Sequence, residues 1–174
     1  MNDRRFMGKA LELAREALAD GEFPVGCILV YDGAVIVSGK RIGSRRNPPS
    51  EIAHAEMLAL GQLEELDAGI DRSAVSLYCT LEPCLMCLGA TVLSRIGRLV
   101  YAYEDVMGGA AACQIELLSP LYREHRLEIV PHVRRNRSLA LFQAFFRHPD
   151  NAYWRDSLLC RYTLAQNGGR MHED

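Results

Sequence analysis

The chain has 174 residues, a formal net charge of −2 and a sequence pI near 6.2. This length suits one domain with a hydrophobic core, and the near-neutral charge excludes a protein that attracts polyanions through its overall charge. No apolar run approaches the roughly 20 residues of a membrane-spanning helix, and the start of the chain has no signal-peptide pattern. We therefore expect a cytoplasmic protein without a membrane partner. Six cysteines in that compartment are expected to be thiols or metal ligands rather than disulfides.

The first third of the chain predicts a helix, a hairpin and a second helix. Apolar residues at helical spacing predict an amphipathic helix over residues 4–19. Two β-branched runs flank Asp32-Gly33, which predicts a β-hairpin. A loop follows, and Ser50 is a suitable N-cap for a helix over 51–69.

The remainder predicts strands joined by helices. The stretch AVSLYCTL (74–81) predicts a buried strand, the pattern from Pro83 to about Arg95 a helix, and RLVYAYED (98–105) another strand. A strand–helix–strand crossover makes its two strands parallel. A short fifth strand in LEIVPHV (127–133) and two helices hinged near Pro149 complete one α/β domain, with helices on both faces of a mixed sheet.

Cys84 and Cys87 form a C-x-x-C pair directly after Pro83. Proline favours the first turn of a helix, so both thiols are expected at a helix N-terminus, where the backbone N–H groups and the helix dipole favour thiolates. By itself this pattern fits a redox dithiol, half of a structural zinc site or the ligands of a catalytic metal.

His54 and Glu56 distinguish among these possibilities. They stand about thirty residues earlier, at the predicted start of the previous helix, so both can reach a centre beyond its end. One imidazole and two thiolates supply three zinc ligands, and a water or hydroxide takes the fourth position, as in catalytic zinc sites. We therefore expect one Zn²⁺ per chain, held by His54, Cys84 and Cys87, with Glu56 as the general acid and base. The other cysteines are interpreted as core thiols: Cys27, Cys79, Cys113 and Cys160.

The order H-x-E followed by P-C-x-x-C is the signature of zinc nucleobase deaminases. Here the sequence resembles the cytidine and deoxycytidylate deaminase superfamily, and within it the bacterial tRNA adenosine deaminases. The resemblance runs to about Arg147 through these stretches: FPVGCILV, AHAEMLAL, TLEPCLMCLGATVLSRIGRLVYAYED, GGAA and AFFR. It implies a three-layer α/β/α sandwich with a five-stranded mixed sheet, a zinc ion, proton transfer by Glu56, water as co-substrate and a homodimer.

The resemblance also marks substrate contacts and departures. Asp105 matches a position close to bound nucleic acid, and Ala55, between the zinc ligand and the acid, is a further expected contact. Arg41 stands where the family usually has an asparagine that helps hold the base or sugar. We expect a single deaminase domain over 1–166, in which 147–166 is a divergent helical extension, followed by a disordered tail over 167–174.

These features leave the substrate open. Adenosine within tRNA is favoured by the length of the resemblance and by arginines in the loop after the hairpin, which suit phosphates. A free base or nucleoside is the alternative: guanine, cytosine or cytidine, or a modified base. It is favoured by the acidic pI, by Arg41, and by Tyr153 and Trp154 in the extension. A zinc- or RNA-binding module without catalysis is a third interpretation.

Overall fold

A computed structural model describes residues 2–66 and 69–167 of the protein. Five strands form one sheet in the order β2-β1-β3-β4-β5. β1 pairs antiparallel with β2 and β3, whereas β3, β4 and β5 run parallel, which confirms the predicted mixed sheet and crossover. The strands are β1 (Gly26–Tyr31), β2 (Ala34–Lys40), β3 (Ser76–Leu81), β4 (Arg98–Tyr103) and β5 (Glu128–Val130).

Helices cover both faces of this sheet. The α-helices are α1 (Asp3–Ala19), α2 (Ala55–Glu64), α3 (Leu85–Leu93), α4 (Pro120–Arg123), α5 (Arg135–Arg147) and α6 (Leu158–Ala165). The α1 helix packs on the face that carries Ile28, Tyr78 and Val100. The opposite face, with Leu29 and Leu77, packs against α2 and α3. The three-layer α/β/α arrangement is therefore confirmed.

The hairpin between β1 and β2 turns at the predicted dipeptide. Asp32 and Gly33 both have positive φ, 48° and 72°. Two successive left-handed residues are typical of a two-residue type I′ turn, whose twist matches that of the flanking strands. Asp tolerates this conformation better than most side chains, and Gly pays no steric cost for it.

The prediction that Ser50 caps α2 is wrong. The helix begins at Ala55 with His54 as its N-cap, and the residues between Ser50 and His54 are not helical. The Ser50 hydroxyl instead accepts from the backbone N–H of Ala53 at 3.3 Å, and its carbonyl accepts a bond from Arg41. These local bonds hold the segment in a non-helical turn. The helix therefore starts four residues later than predicted, and His54 lies at its N-terminus.

The C-terminal helices lie on either side of Pro149, as predicted. The α5 helix packs against β4 and α1, and α6 packs on α5. The ring of Phe23 lies edge-on to Phe142 and Phe145 of α5, at centroid distances of 5.1 and 5.3 Å. Of the predicted disordered tail, 168–174 lies outside the described residues. Within the described ranges, each helix is too short or too polar to cross a bilayer.

Candidate active site

The N-termini of α2 and α3 converge beyond the carboxyl end of β3, the central strand of the sheet. His54 is the N-cap of α2 and Cys84 is the N-cap of α3, and neither side chain caps its own helix. Gly39 of β2 makes this approach possible, because a Cβ there would lie 2.5 Å from the carbonyl oxygen of Ala55. The imidazole and the thiol therefore point beyond the helix ends, as the sequence predicted.

Three donor atoms form a compact triangle at this point. The Nδ1 atom of His54 lies 3.7 Å from Sγ of Cys84 and 3.5 Å from Sγ of Cys87, and the two sulfurs are 3.6 Å apart. Tetrahedral zinc, with bonds of about 2.3 Å to sulfur and 2.0–2.1 Å to nitrogen, sets its ligand atoms about 3.5–3.8 Å apart. The triangle therefore fits one zinc ion in both donor chemistry and spacing.

The two thiols differ in acidity because they share a hydrogen bond. The hydrogen bond between the two thiols, supplemented by His54, lowers the pKa of Cys84 to about 4. The same bond, together with burial, raises the pKa of Cys87. The bond to Cys84 also raises the pKa of His54. This arrangement favours the thiolate form of Cys84, and a metal ligand must be a thiolate.

Glu56 lies in the first turn of α2, next to this triangle. Its side chain is buried, and burial raises the pKa of the carboxyl group. A buried carboxyl beside a cluster of metal ligands is an arrangement typical of a catalytic acid and base. The structure therefore brings together all four residues that the sequence assigned to the chemistry.

Cys79 is a neighbour of Glu56 that sequence reasoning missed. Its thiol donates to Oε1 of Glu56 at 3.1 Å, and Cys27 contacts it from the adjacent strand. Because side chains alternate between the two faces of a strand, the position of Cys79 in β3 indicated which face its thiol would occupy. It did not indicate that Glu56 would lie against that face. Cys27, Cys79 and Cys160 are buried, as expected, whereas Cys113 is exposed. The interpretation of Cys113 as a core thiol is wrong, because it lies in the irregular segment after β4 rather than in a strand or helix.

Glu82 and Asp105 together fix the loop after β4. The carboxylate of Glu82 accepts from the backbone N–H groups of Asp105 and Ala111, at 3.1 and 3.0 Å. Oδ1 of Asp105 accepts from the N–H groups of Met107 and Gly108, at 2.9 and 3.0 Å. One oxygen of Asp105 is thus engaged in shaping its own loop. The structural role of Glu82 was also missed, because both of its partners follow it by more than 20 residues.

A cavity of about 60 Å³ lies against these residues. It is narrow compared with ligand sites, which commonly measure about 300–1,000 Å³. Its wall includes Arg41 and, from the segment between α5 and α6, Tyr153 and Trp154. Those two rings stack at 5.0 Å, and the Tyr153 hydroxyl donates to Glu51 at 2.9 Å. All three expected substrate contacts line this cavity: Arg41, Ala55 and Asp105.

Comparison with known proteins identifies the family. Residues 1–103 match the model of the cytidine and deoxycytidylate deaminase zinc-binding region. The chain belongs to this deaminase family. A tRNA-specific adenosine deaminase of Bacillus subtilis is 34% identical over 145 residues, which cover 83% of this chain and 89% of that protein.

Solved structures agree with this assignment. One, from a study of A-to-I editing by tRNA wobble-position deaminases, is 33% identical with a TM-score of 0.65. It covers 79% of this chain and 98% of that chain. Another, a protein in complex with 8-azaguanine, is 25% identical with a TM-score of 0.65 and covers 82% of this chain and 84% of that chain. The protein is therefore a zinc-dependent hydrolytic deaminase with the cytidine deaminase-like fold.

Proposed function

We propose that this deaminase converts adenosine to inosine within tRNA. The observation that carries the proposal is the meeting of His54, Cys84, Cys87 and Glu56 at one cavity, in a chain similar over most of its length to tRNA-specific adenosine deaminases. The reaction replaces the amino group of the base by oxygen from water and releases ammonia.

His54, Cys84 and Cys87 would hold the zinc ion, with their donor atoms at the corners of the triangle. Zinc bound there supplies an acidified water as the nucleophile. The chain would contribute the three ligands and two helix N-termini that favour thiolates, and Glu56 lines the same cavity as His54 and Cys84.

Glu56 moves the protons. Its carboxylate takes a proton from the attacking water and delivers it to the ring nitrogen next to the reacting carbon. A second transfer through the same carboxylate protonates the departing amino group, so that it leaves as ammonia. Burial beside the cavity keeps bulk water from competing for these protons.

Ala55 and Asp105 are proposed as substrate contacts. Ala55 is the first residue of α2 and lines the cavity, where its small side chain occupies little of the space available to a base. Asp105 lies on the loop that Glu82 holds, at the cavity wall. Its contribution is to keep the 105–108 turn in place against the substrate.

A free nucleobase or nucleoside is the second candidate substrate. The observation that favours it is the cover formed by Tyr153 and Trp154, which leaves a cavity of about 60 Å³. A base that is part of an RNA can enter only if the segment carrying Tyr153 and Trp154 moves aside. A free base or nucleoside can enter after a smaller movement of the same segment. The 8-azaguanine complex of the structural neighbour is consistent with the second case.

The test is ammonia release by zinc-loaded protein, with Glu56→Gln as the matched inactive control. One set of reactions contains tRNA with adenosine at the wobble position, and the other a panel of free bases and nucleosides. We expect release with the tRNA, a rate at least 10²–10⁴-fold lower for Glu56→Gln, and unchanged zinc content in that variant. Release from small molecules alone overturns the tRNA proposal, and full activity after chelation overturns the zinc chemistry.

Assembly, location and domain extent are further parts of the proposal. We propose a cytoplasmic homodimer of a single deaminase domain spanning 1–166. An apolar surface supports the dimer: Leu85, Leu93, Leu117 and Leu121 are each more than half exposed. Light scattering should give twice the mass of the chain, and a monomeric mass at all concentrations would contradict the dimer.

A further inference from the structure

Arg41 is a buried cation with an unpartnered nitrogen. It follows β2 directly, and only 2% of its surface is exposed. Nη1 is buried and, among the described residues, has no hydrogen-bond partner. A buried donor without a partner destabilises the fold, and does so more when it is charged. A buried polar group of this kind calls for an explanation, and at a cavity a bound molecule can supply the missing partner.

The other terminal nitrogen of Arg41 is firmly held. Nη2 donates to the Ser50 carbonyl oxygen and, at 3.3 Å, to the Tyr153 hydroxyl, and it lies 3.9 Å from Oε2 of Glu51. Glu51 is half exposed, so it neutralises the guanidinium only in part. These contacts fix the plane of the guanidinium and thereby the direction in which Nη1 can donate.

The position of Arg41 relates the unpartnered nitrogen to the reaction. Arg41, His54 and Glu56 line the same cavity, so the guanidinium borders the space in which a base would meet the proposed zinc ligands. Guanidinium groups donate hydrogen bonds and never accept them. The group that completes Arg41 is therefore a nitrogen or oxygen lone pair, and an amino group in the same place would be repelled.

We infer that Arg41 binds the substrate through Nη1 and selects substrates that present a hydrogen-bond acceptor to it. The inference rests on the proposed deaminase function and narrows its substrate class. The acceptor is a ring nitrogen of the base, a ribose oxygen or a phosphate oxygen, which share this chemistry. Tyr153 and Ser50 orient the guanidinium, so the segment between α5 and α6 contributes to selection indirectly.

The experiment combines protein variants with substrate analogues. The substrates are anticodon hairpin RNAs with adenosine at the wobble position, or with 7-deazaadenosine, 3-deazaadenosine, 2′-deoxyadenosine or an adjacent methylphosphonate. Each analogue removes one acceptor. The proteins carry Arg41→Gln or Arg41→Lys, with Arg72→Gln as the matched control, since Arg72 pairs with Glu64 away from the cavity. Single-turnover rates are measured, together with Kd in a Glu56→Gln background, where no turnover interferes.

One analogue should weaken binding to the Arg41 protein by about 10- to 100-fold, as expected for a hydrogen bond to a charged group. With Arg41→Gln the same analogue should cost less than about 3-fold, and Arg41→Lys should fall between the two. Arg72→Gln should behave as the parent protein. The analogue that shows this coupling identifies the acceptor.

Equal penalties for every analogue in the parent and Arg41→Gln proteins overturn the inference. Zinc content and melting temperature show whether Arg41→Gln is folded, and if it is not, Arg41→Lys decides the question by the same criterion. A parent protein that binds the hairpins but releases no ammonia refutes the proposed function, whereas the binding measurements still test Arg41.

Discussion

The two faces of the sheet differ in how their polar groups are satisfied. At the edge of the α1 face, Asp3 and Arg98 form a two-pronged ion pair at 2.8 and 2.9 Å, and the Tyr78 hydroxyl donates to the same carboxylate. Near the α2 and α3 helices, Glu56 is buried with a thiol as its hydrogen-bond donor, and Nη1 of Arg41 has no partner in the part of the chain that the structure describes.

This difference separates stability from chemistry. Groups that satisfy one another need no ligand, and their removal should affect folding alone. Buried groups with weak or missing partners raise the free energy of the folded protein. We therefore expect such groups to contribute to substrate binding or to turnover. Changes on the α1 face should therefore alter stability without altering kcat, whereas changes beside Glu56 should lower kcat, whatever their effect on stability.

Leu11→Ala should give the largest effect on the α1 face. Leu11 is fully buried in the cluster between α1 and the sheet. Truncating a buried leucine costs about 2–5 kcal/mol, since the cavity left behind is only partly refilled. Denaturant unfolding should show this loss, while kcat and KM at a temperature where the variant is folded should match the parent.

The exposed Leu158 is the matched control, because it starts α6 with about half its surface in solvent. Leu158→Ala should change the free energy of unfolding by less than about 0.5 kcal/mol. A tenfold loss of kcat in folded Leu11→Ala would show that the two faces are coupled, against the separation argued above.

Cys79→Ala should give an intermediate effect on turnover. The Cys79 thiol donates to Oε1 of Glu56, and its loss frees the carboxylate to rotate away from the cavity. We expect kcat to fall about tenfold, equivalent to about 1.4 kcal/mol, with KM unchanged. Cys79→Ser keeps a donor at the position and should recover part of the rate.

Cys27→Ala is the matched control for this prediction. Cys27 is equally buried and pairs with Cys79 across the strands, so its truncation creates a similar cavity. Its kcat should stay within about twofold of the parent, even though its stability falls as in Cys79→Ala. Equal kcat values for the two variants would mean that packing rather than the bond to Glu56 matters.

Sequence was sufficient for the fold and for the set of candidate residues that meet at the site. Asp32-Gly33 determined the hairpin, periodicity determined the crossover from β3 to β4, and the residue types His, Glu and Cys at helix starts determined the metal centre. These signals are local or depend on one element at a time. They therefore need no knowledge of tertiary packing.

What escaped sequence reasoning depends on contacts between distant segments. Cys79 and Glu56 are 23 residues apart, and Arg41 and Tyr153 are 112 apart. No spacing rule relates such pairs. The start of α2 was misplaced for a similar reason: Arg41 bonds the Ser50 carbonyl and stabilises a turn where local propensity favoured a helix. The expected burial of Cys113 was wrong because its segment forms neither a helix nor a strand.

The smallest expected effect concerns the ion pair at the edge of the α1 face, and it depends on pH. Hydrogen bonds from Arg98 lower the pKa of Asp3 below its usual value of 3.8. A carboxyl group whose pKa is lowered by folding adds stability above its unfolded pKa, and loses it as the pH falls through the folded value. Asp3→Asn should therefore cost about 1 kcal/mol at pH 7 and progressively less below about pH 4, with kcat unchanged. Urea unfolding at pH 7 and at pH 3 measures this difference. Glu128→Gln is the control, because Glu128 pairs with the same arginine but is mostly exposed. A cost that is equal at pH 7 and pH 3 would show that Asp3 acts by packing rather than by charge. The contrast between the paired charges at the edge of the α1 face and the incompletely paired groups beside the cavity would then need another explanation.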